Sequence, residues 1–335
     1  MDVIFLLSSF LLFSITYFFL RFIWEKIQIR NLTRKPVFIT GCDSGFGYHL
    51  AIKCLSRGMP VFAGCFSQQG VDKLINDSKN YNGSLNVFLL DVTNDVSVNN
   101  VRNYLESATA EYGGLHAVVN NAGIVGNSFF SDFLTIKDYK EVCEVNLFGV
   151  IRVTEAFKSL VKRTKGRIVT VSSICSRVGI MGIGPYTVSK FGVSGYCDVI
   201  RQELRMWGVS VHVLEPGFFR TPLIDKTNIE RQLDQVWLKC PQQVQEEYGE
   251  QFFREGREKT NDLLQGISSP HIEWVVDAYF HAITAYFPRL RYQIGWDANF
   301  LFIPLSFIPS RIQDVIFSFT EKAIRLPQPK MLQKI

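Results

Sequence analysis

Beyond residue 35 the chain alternates short apolar runs with polar or amphipathic stretches. Pro36-Val-Phe-Ile39, Val61-Phe-Ala63, Leu85-Asn-Val-Phe-Leu-Leu90, Ala117-Val-Val119, Arg167-Ile-Val-Thr-Val171 and Val209-Ser-Val-His-Val-Leu214 read as strands, with Tyr292-Gln-Ile294 as a short seventh. Helical patterns such as Tyr48 to Ser56 separate them. This alternation predicts an α/β fold, a doubly wound parallel sheet of about seven strands. Glycine or polar clusters close the strands: Thr40-Gly41, Asp91, Asn120 to Gly123, Ser172-Ser173 and Glu215 to Gly217. Open α/β sheets bind ligands at that carboxyl edge.

Three stretches break the rhythm. Val3 to Leu20 carries no charge and, extended by Phe22, Ile23 and Trp24, reaches the length of a membrane span. Asp2 precedes it and bulky Phe18, Phe19 and Leu20 end it, which does not fit a cleaved signal peptide. Residues 1–24 are therefore expected to form an uncleaved, single-pass anchor in the lipid bilayer, followed by a flank at 25–35. Arg21, Lys26, Arg30, Arg34 and Lys35 follow the span against one acid, Glu25, and the positive-inside rule then places the main domain on the cytoplasmic side. Asn31-Leu-Thr33 and Asn82-Gly-Ser84 are glycosylation sequons, usable only if that domain faces the lumen. Within the main domain, 36–298, Leu223 to Ser269 is rich in Gln, Glu and Lys and reads as a helical lid. Residues 299–335 are apolar in their first part. Pro304 and Pro309 argue against a second span, which leaves a cover over the site or a surface resting on the bilayer.

The 335 residues suffice for one large α/β domain with appendages. At 47% hydrophobic and 20% charged, the chain is neither disordered nor highly charged. The net charge of +5 comes without a dense basic block beyond the flank, so no nucleic-acid partner is expected. Seven scattered cysteines, with no Cys-x-x-Cys and no His-x-x-x-His, suggest free thiols rather than a metal site or a disulfide framework.

Chemistry gathers in three constellations. Thr40-Gly-Cys-Asp-Ser-Gly-Phe-Gly47 joins a strand to a helix: Gly41 permits a sharp turn, while Gly45 and Gly47 let a pyrophosphate approach the backbone and the positive helix end. Neither the positions before Gly45 nor the second strand's end, Gly64-Cys-Phe66, offers Lys or Arg to a 2′-phosphate. This favours NAD over NADP, although the usual acid is missing there too. Asn120-Asn-Ala122-Gly123 is small enough for the cofactor's adenosine half, and Asp91 is either an acceptor for the adenine amine or a turn residue. The third set is Ser173, Tyr186 and Lys190. At i and i+4 on a helix, phenol and ammonium share one face about 6 Å apart. A nearby cation favours the phenolate, and the Ser173 hydroxyl is placed to hold a substrate oxygen. Asn146, polar within an apolar helical pattern, is expected to be buried and hydrogen-bonded.

In their order and spacing, Thr40 to Gly47, Asn120 to Gly123, Asn146, Ser173, Tyr186, Lys190 and Pro216-Gly217 resemble the short-chain dehydrogenase/reductase family. The resemblance implies a Rossmann-type fold and an enzyme interconverting an alcohol and a carbonyl. It implies Tyr186 as acid/base, Ser173 as substrate binder, Lys190 as modulator and ribose ligand, and Asn146 as the link in a proton relay. Gly41, Ser44, Phe46, Gly47, Asp91, Asn120 and Thr221 map to cofactor contacts, beside Gly45, Ala122, Gly123, Pro216 and Gly217. Gly41 to Gly47, Val188 to Val193, Glu215 to Phe219 and Gly295 to Ser306 look like the microsomal retinol and hydroxysteroid dehydrogenase branch, implying an endoplasmic-reticulum membrane, NAD and a lipophilic substrate. The Ser173–Tyr186 spacing is like that of related 3-hydroxybutyrate dehydrogenases, which are kept as the alternative. A homodimer is an expectation by resemblance alone, and a non-catalytic membrane-tethered scaffold or cofactor sensor is the reading from another class.

Overall fold

The computed structural model describes residues 3–323 and 327–334; the side chains of Val3, Ile4, Leu6, Leu7, Phe18, Ala323, Gln333 and Lys334 are outside that description. Residues 1 and 2 of the expected anchor and 324–326 and 335 of the expected C-terminal segment also lie outside it. The strands are β1 Val37–Thr40, β2 Val61–Cys65, β3 Leu85–Leu89, β4 Ala117–Asn120, β5 Arg167–Val171, β6 Ser210–Pro216 and β7 Arg291–Ile294. They form one parallel sheet in the order β3-β2-β1-β4-β5-β6-β7. The order reverses direction between β1 and β4, opening a crevice at their carboxyl ends.

The helices are α1 Val3–Glu25, α2 Gly45–Ser56, α3 Gln68–Asp77, α4 Asp95–Ala108, α5 Ile136–Cys143, α6 Gly149–Arg163, α7 Gly184–Arg205, α8 Lys226–Lys239, α9 Gln242–Tyr248, α10 Glu250–Ile267, α11 Glu273–Thr284, α12 Ile303–Ser306 and α13 Ser310–Ala323. Period-2 alternation sorts the strand side chains between two layers. Val37, Ile39, Ala117, Val119 and Val169 meet Leu50 and Leu55 of α2 and Tyr279 and Ile283 of α11 on one face. Phe38, Val118 and Ile168 meet Leu105 of α4, Phe157 and Leu160 of α6 and Ile200 of α7 on the other. Burying both faces is why these strands read as nearly continuous apolar runs.

The expected lid is helical, α8 to α10. Leu233, Val236, Phe252 and Phe253 form a separate aromatic-rich core with Phe129 and Phe133 from the segment after β4. Phe133 lies 4.7 Å from Tyr248, and Trp237 stacks on Phe253 at 4.7 Å. In the C-terminal segment a π-helical turn, Ala298–Phe302, runs into α12, with Pro304 as its second residue.

Among the described residues, no helix is long and apolar enough to cross a membrane. The expected anchor coincides with α1, several of whose side chains lie outside that set. Those of its side chains that are described are largely exposed, Phe10, Phe13 and Phe19 among them. Its end is tied to the domain. Glu25 accepts from Arg21 at 2.8 Å and Arg289 at 2.6 Å, Ile29 N–H donates to Thr284 O at 2.8 Å, and Tyr286 N–H donates to Ile27 O at 2.7 Å.

Candidate active site

The glycine turn between β1 and α2 is built by close approach. Gly41 has φ 70°, and a Cβ there would lie 2.7 Å from the Ala122 Cα. A Cβ on buried Gly47 would overlap the Gly41 carbonyl and the Asn121 amide. Gly45, φ 59°, begins α2 beside Thr221 and keeps ordinary contact distances. Ser44 is the N-cap but makes no side-chain capping bond, so the first N–H groups of α2 have no side-chain acceptor there. Phe46 packs edge-on against Phe219 at 6.0 Å. Such a turn, open at a helix N-terminus and closed to any Cβ at Gly41 and Gly47, fits a dinucleotide pyrophosphate.

The second constellation divides its work in a way the sequence did not reveal. Asn120 is the last residue of β4, and its amide points into the core, donating to Thr154 Oγ1 at 2.9 Å and Thr170 Oγ1 at 3.2 Å. Asn121 braces the glycine turn by donating to the carbonyls of Thr40 and Gly41, both at 3.0 Å. Thr40 Oγ1 in turn accepts the N–H groups of Asn121 at 3.0 Å and Ala122 at 3.1 Å. Asp91 Oδ1 accepts from the Thr93 N–H at 2.8 Å and hydroxyl at 2.7 Å, so its turn role is present whatever else it binds.

A cavity at the sheet's carboxyl edge is lined by Phe46, Asn121, Gly123, Pro216, Gly217 and Thr221 together with Ser173, Tyr186 and Lys190. Its remaining wall is largely apolar, including Val125, Ile174, Ile183, Phe218, Leu223 and Leu264. Ala298 and Phe302 of the C-terminal segment pack behind Ile174 and Phe218. Another groove, between α4 and α6 around Arg152 and Phe148, lies away from this set.

Ser173 follows β5 and caps the 3-10 turn Ile174–Ser176, its Oγ accepting from the Cys175 N–H at 3.2 Å. The fully buried Asn146 sits in a π-helical turn, Glu144–Phe148, between α5 and α6. Its side chain donates to Ile124 O at 2.8 Å and Ser189 Oγ at 3.1 Å and accepts from Ile124 N–H at 2.8 Å, joining the β4 edge to α7. A π-bulge shifts the register of a helix, and such turns concentrate at functional sites.

Tyr186 and Lys190 share the inner face of α7. The ammonium lies 5.4 Å from the phenol ring centroid and donates to Val171 O at 3.1 Å. Burial acts against the effect expected of this pair. It pushes the Tyr186 phenol up, as does the Cys175 thiol, while the Ser173 hydroxyl pulls it back. Burial also pulls the Lys190 ammonium down to about 8, with Cys175 and Cys197 opposing.

One further residue went unnoticed in the sequence. Asp43, inside the glycine turn, accepts from Phe66 N–H at 2.8 Å and from Ser67 N–H at 2.8 Å and hydroxyl at 2.7 Å. It carries a carboxylate to the end of β2, the place where the sequence had no acid.

A family model for "short chain dehydrogenase" matches residues 35–232. The human short-chain dehydrogenase/reductase family 9C member 7 is 42% identical over 290 residues, 87% of this chain and 91% of that protein. Bovine 17-beta-hydroxysteroid dehydrogenase type 6 is 39% identical over 305 residues, 90% of this chain and 93% of its own. The 3beta-hydroxysteroid dehydrogenase dhs-16 of Caenorhabditis elegans is 38% identical over 312 residues, 92% and 80%. A short-chain dehydrogenase/reductase from Burkholderia phymatum, crystallised with NAD, shares the fold at TM-score 0.65 and 21% identity, over 85% of this chain and 95% of that one.

Proposed function

The chain belongs to the short-chain dehydrogenase family, as an oxidoreductase that interconverts an alcohol and a carbonyl, and from that premise we propose that it is a membrane-anchored, NAD-dependent dehydrogenase of a lipophilic alcohol, a hydroxysteroid or retinol. The observation that carries this reading is the convergence of Ser173, Tyr186 and Lys190 on one cavity whose remaining wall is apolar. The Ser173 hydroxyl binds the substrate oxygen, and Tyr186 takes the hydroxyl proton during oxidation and returns it during reduction. The nicotinamide supplies the hydride acceptor and, when oxidised, a positive charge that helps lower the phenol's pKa against burial. Lys190 adds to that field and holds the ribose, while Asn146 links the site to a water-mediated relay. Gly41, Gly45, Gly47, Asn121 and Thr221 surround the dinucleotide, and the Asp43 carboxylate disfavours a 2′-phosphate by like-charge repulsion.

Among the described residues lining the cavity, Lys190 is the one cation. The carboxylate of 3-hydroxybutyrate would find no dedicated partner there, whereas an apolar ring system meets Ile174, Phe218, Leu223 and Leu264. Retinol and steroids partition into bilayers, and α1 supplies an uncharged run long enough to reach one. Trp296, Phe300 and Phe307, each at least 70% exposed, place apolar surface outside the segment whose inner side closes the cavity. That surface favours contact with the membrane of the endoplasmic reticulum, with α8 to α10 as the lid. The test is a panel of hydroxysteroids, retinol and 3-hydroxybutyrate with the full chain in detergent or vesicles, following NADH. Turnover of hydroxysteroid or retinol is expected; turnover of 3-hydroxybutyrate alone would replace the substrate assignment.

A further inference from the structure

Asp297 lies beyond the segment matched by the family model, 80 positions after Gly217, yet its carboxylate meets Gly217 and Phe218, two residues that line the cavity. Its Oδ2 accepts the backbone N–H of Phe218 at 2.8 Å. The carboxylate occupies the space where a side chain on Gly217 would stand, and also where one on Gly295 would stand. Gly295 has φ 111°, so that position is glycine on two counts, conformation and room. A carboxyl group nested between two glycines and bonded to the backbone between cavity-lining residues is a built clamp. Gly217 N–H completes it by donating to Ile294 O at 2.8 Å, so the end of β7 and its following turn hold both peptide groups.

The clamped residues face both halves of the cavity. Phe218 packs toward Phe302 at 6.0 Å on the apolar wall. Phe219 meets Phe46 of the glycine turn at 6.0 Å and Trp274 at 6.4 Å. We propose that Asp297 is a positioning residue that fixes the Gly217–Phe219 segment so that the glycine turn and the apolar wall are held in register for cofactor binding. This rests on the dinucleotide reading of the cavity given above. The acceptor oxygen does the work, because the partner is a neutral backbone N–H that an amide oxygen can also satisfy.

The test compares Asp297→Asn, which keeps an acceptor in the same place, with Asp297→Ala, which leaves the Phe218 N–H without it. NADH affinity is read directly by titrating cofactor fluorescence on the full chain, alongside KM for NAD, kcat and the melting temperature. Asp297→Ala is expected to weaken NADH binding and raise KM for NAD by about ten-fold, with kcat at saturating NAD within about three-fold of wild type. Asp297→Asn is expected to stay within about three-fold of wild type on every reading. NADH binding unchanged in folded Asp297→Ala, or lost equally in both variants, overturns the clamp. Wild-type protein that binds no NADH overturns the dinucleotide reading itself, a separate outcome from failure of the clamp.

Discussion

Replacing Asn146 by alanine should unfold the protein at a measurably lower temperature, because its amide is the bridge between the β4 edge and the helix bearing Tyr186. The wild-type side chain is fully buried and makes three hydrogen bonds, two to the Ile124 peptide groups and one to Ser189. Alanine would strand up to three polar groups. A buried polar group left unpaired costs about 1–3 kcal/mol. Ile124 is 37% exposed, so water can reach part of its backbone, and Ser189 keeps its bond to Tyr186 O at 2.7 Å. Both facts pull the sum to the lower end, about 2–4 kcal/mol. At roughly 2 °C per kcal/mol for a domain of this size, the expected drop is about 4–8 °C. Differential scanning calorimetry of Asn146→Ala against wild type measures it, with Ser189→Ala, which removes the Asn146 bond and the bond to Tyr186 O, as the comparison at about 1–2 kcal/mol. A melting temperature within about 1 °C of wild type for Asn146→Ala would refute the idea that this network holds the two elements together.

Two more substitutions probe separate parts of the account. Lys190 is depressed to about 8 by burial, so between pH 8 and its unfolded value of 10.5 the unfolded chain binds more protons and stability rises with pH. Below pH 8 the penalty is fully present, about 3 kcal/mol; Lys190→Met should therefore melt higher than wild type at pH 7, with the gap closing toward pH 10.5, and a gap independent of pH would contradict the assignment. Asp43→Asn removes the charge and keeps one acceptor oxygen, for the Ser67 N–H and hydroxyl, while giving up the acceptor for the Phe66 N–H; it should raise the NADP-to-NAD ratio of kcat/KM at least about ten-fold, worth about 1.4 kcal/mol, and an unchanged ratio removes Asp43 from coenzyme choice.

The sheet was legible because strands buried on both faces leave long apolar runs, and β1 to β7 lie within two residues of their expected positions. The Tyr186–Lys190 pair, proposed here as catalytic, was legible as a pair because its shared face depends on helical spacing, which is local. What the sequence hid depends on distant pairing. Asp43 has meaning only once the chain from Phe66 to Ser67 is folded beside it, and Asp297 only beside Gly217 and Phe218. Asn120 and Asn121 are adjacent in the chain and differ in direction by the pleat of a strand end, which a motif read as one unit conceals. Burial at Tyr186 and Lys190 was hidden for the same reason: two helical neighbours say nothing of the Cys175 loop and the β5 carbonyl that enclose them.

The central claim is that Tyr186 moves the proton in an alcohol–carbonyl interconversion. Tyr186→Phe removes only the hydroxyl and leaves the ring packed against the buried cluster of Ile174, Cys175 and Ala298. Its NADH affinity, read by fluorescence, and its kcat with a hydroxysteroid or retinol that the wild type oxidises give the most direct test. The account predicts NADH binding within about three-fold of wild type and a kcat lowered by about 10²–10⁴. A Tyr186→Phe enzyme that binds NADH and keeps kcat within about three-fold of wild type would contradict it.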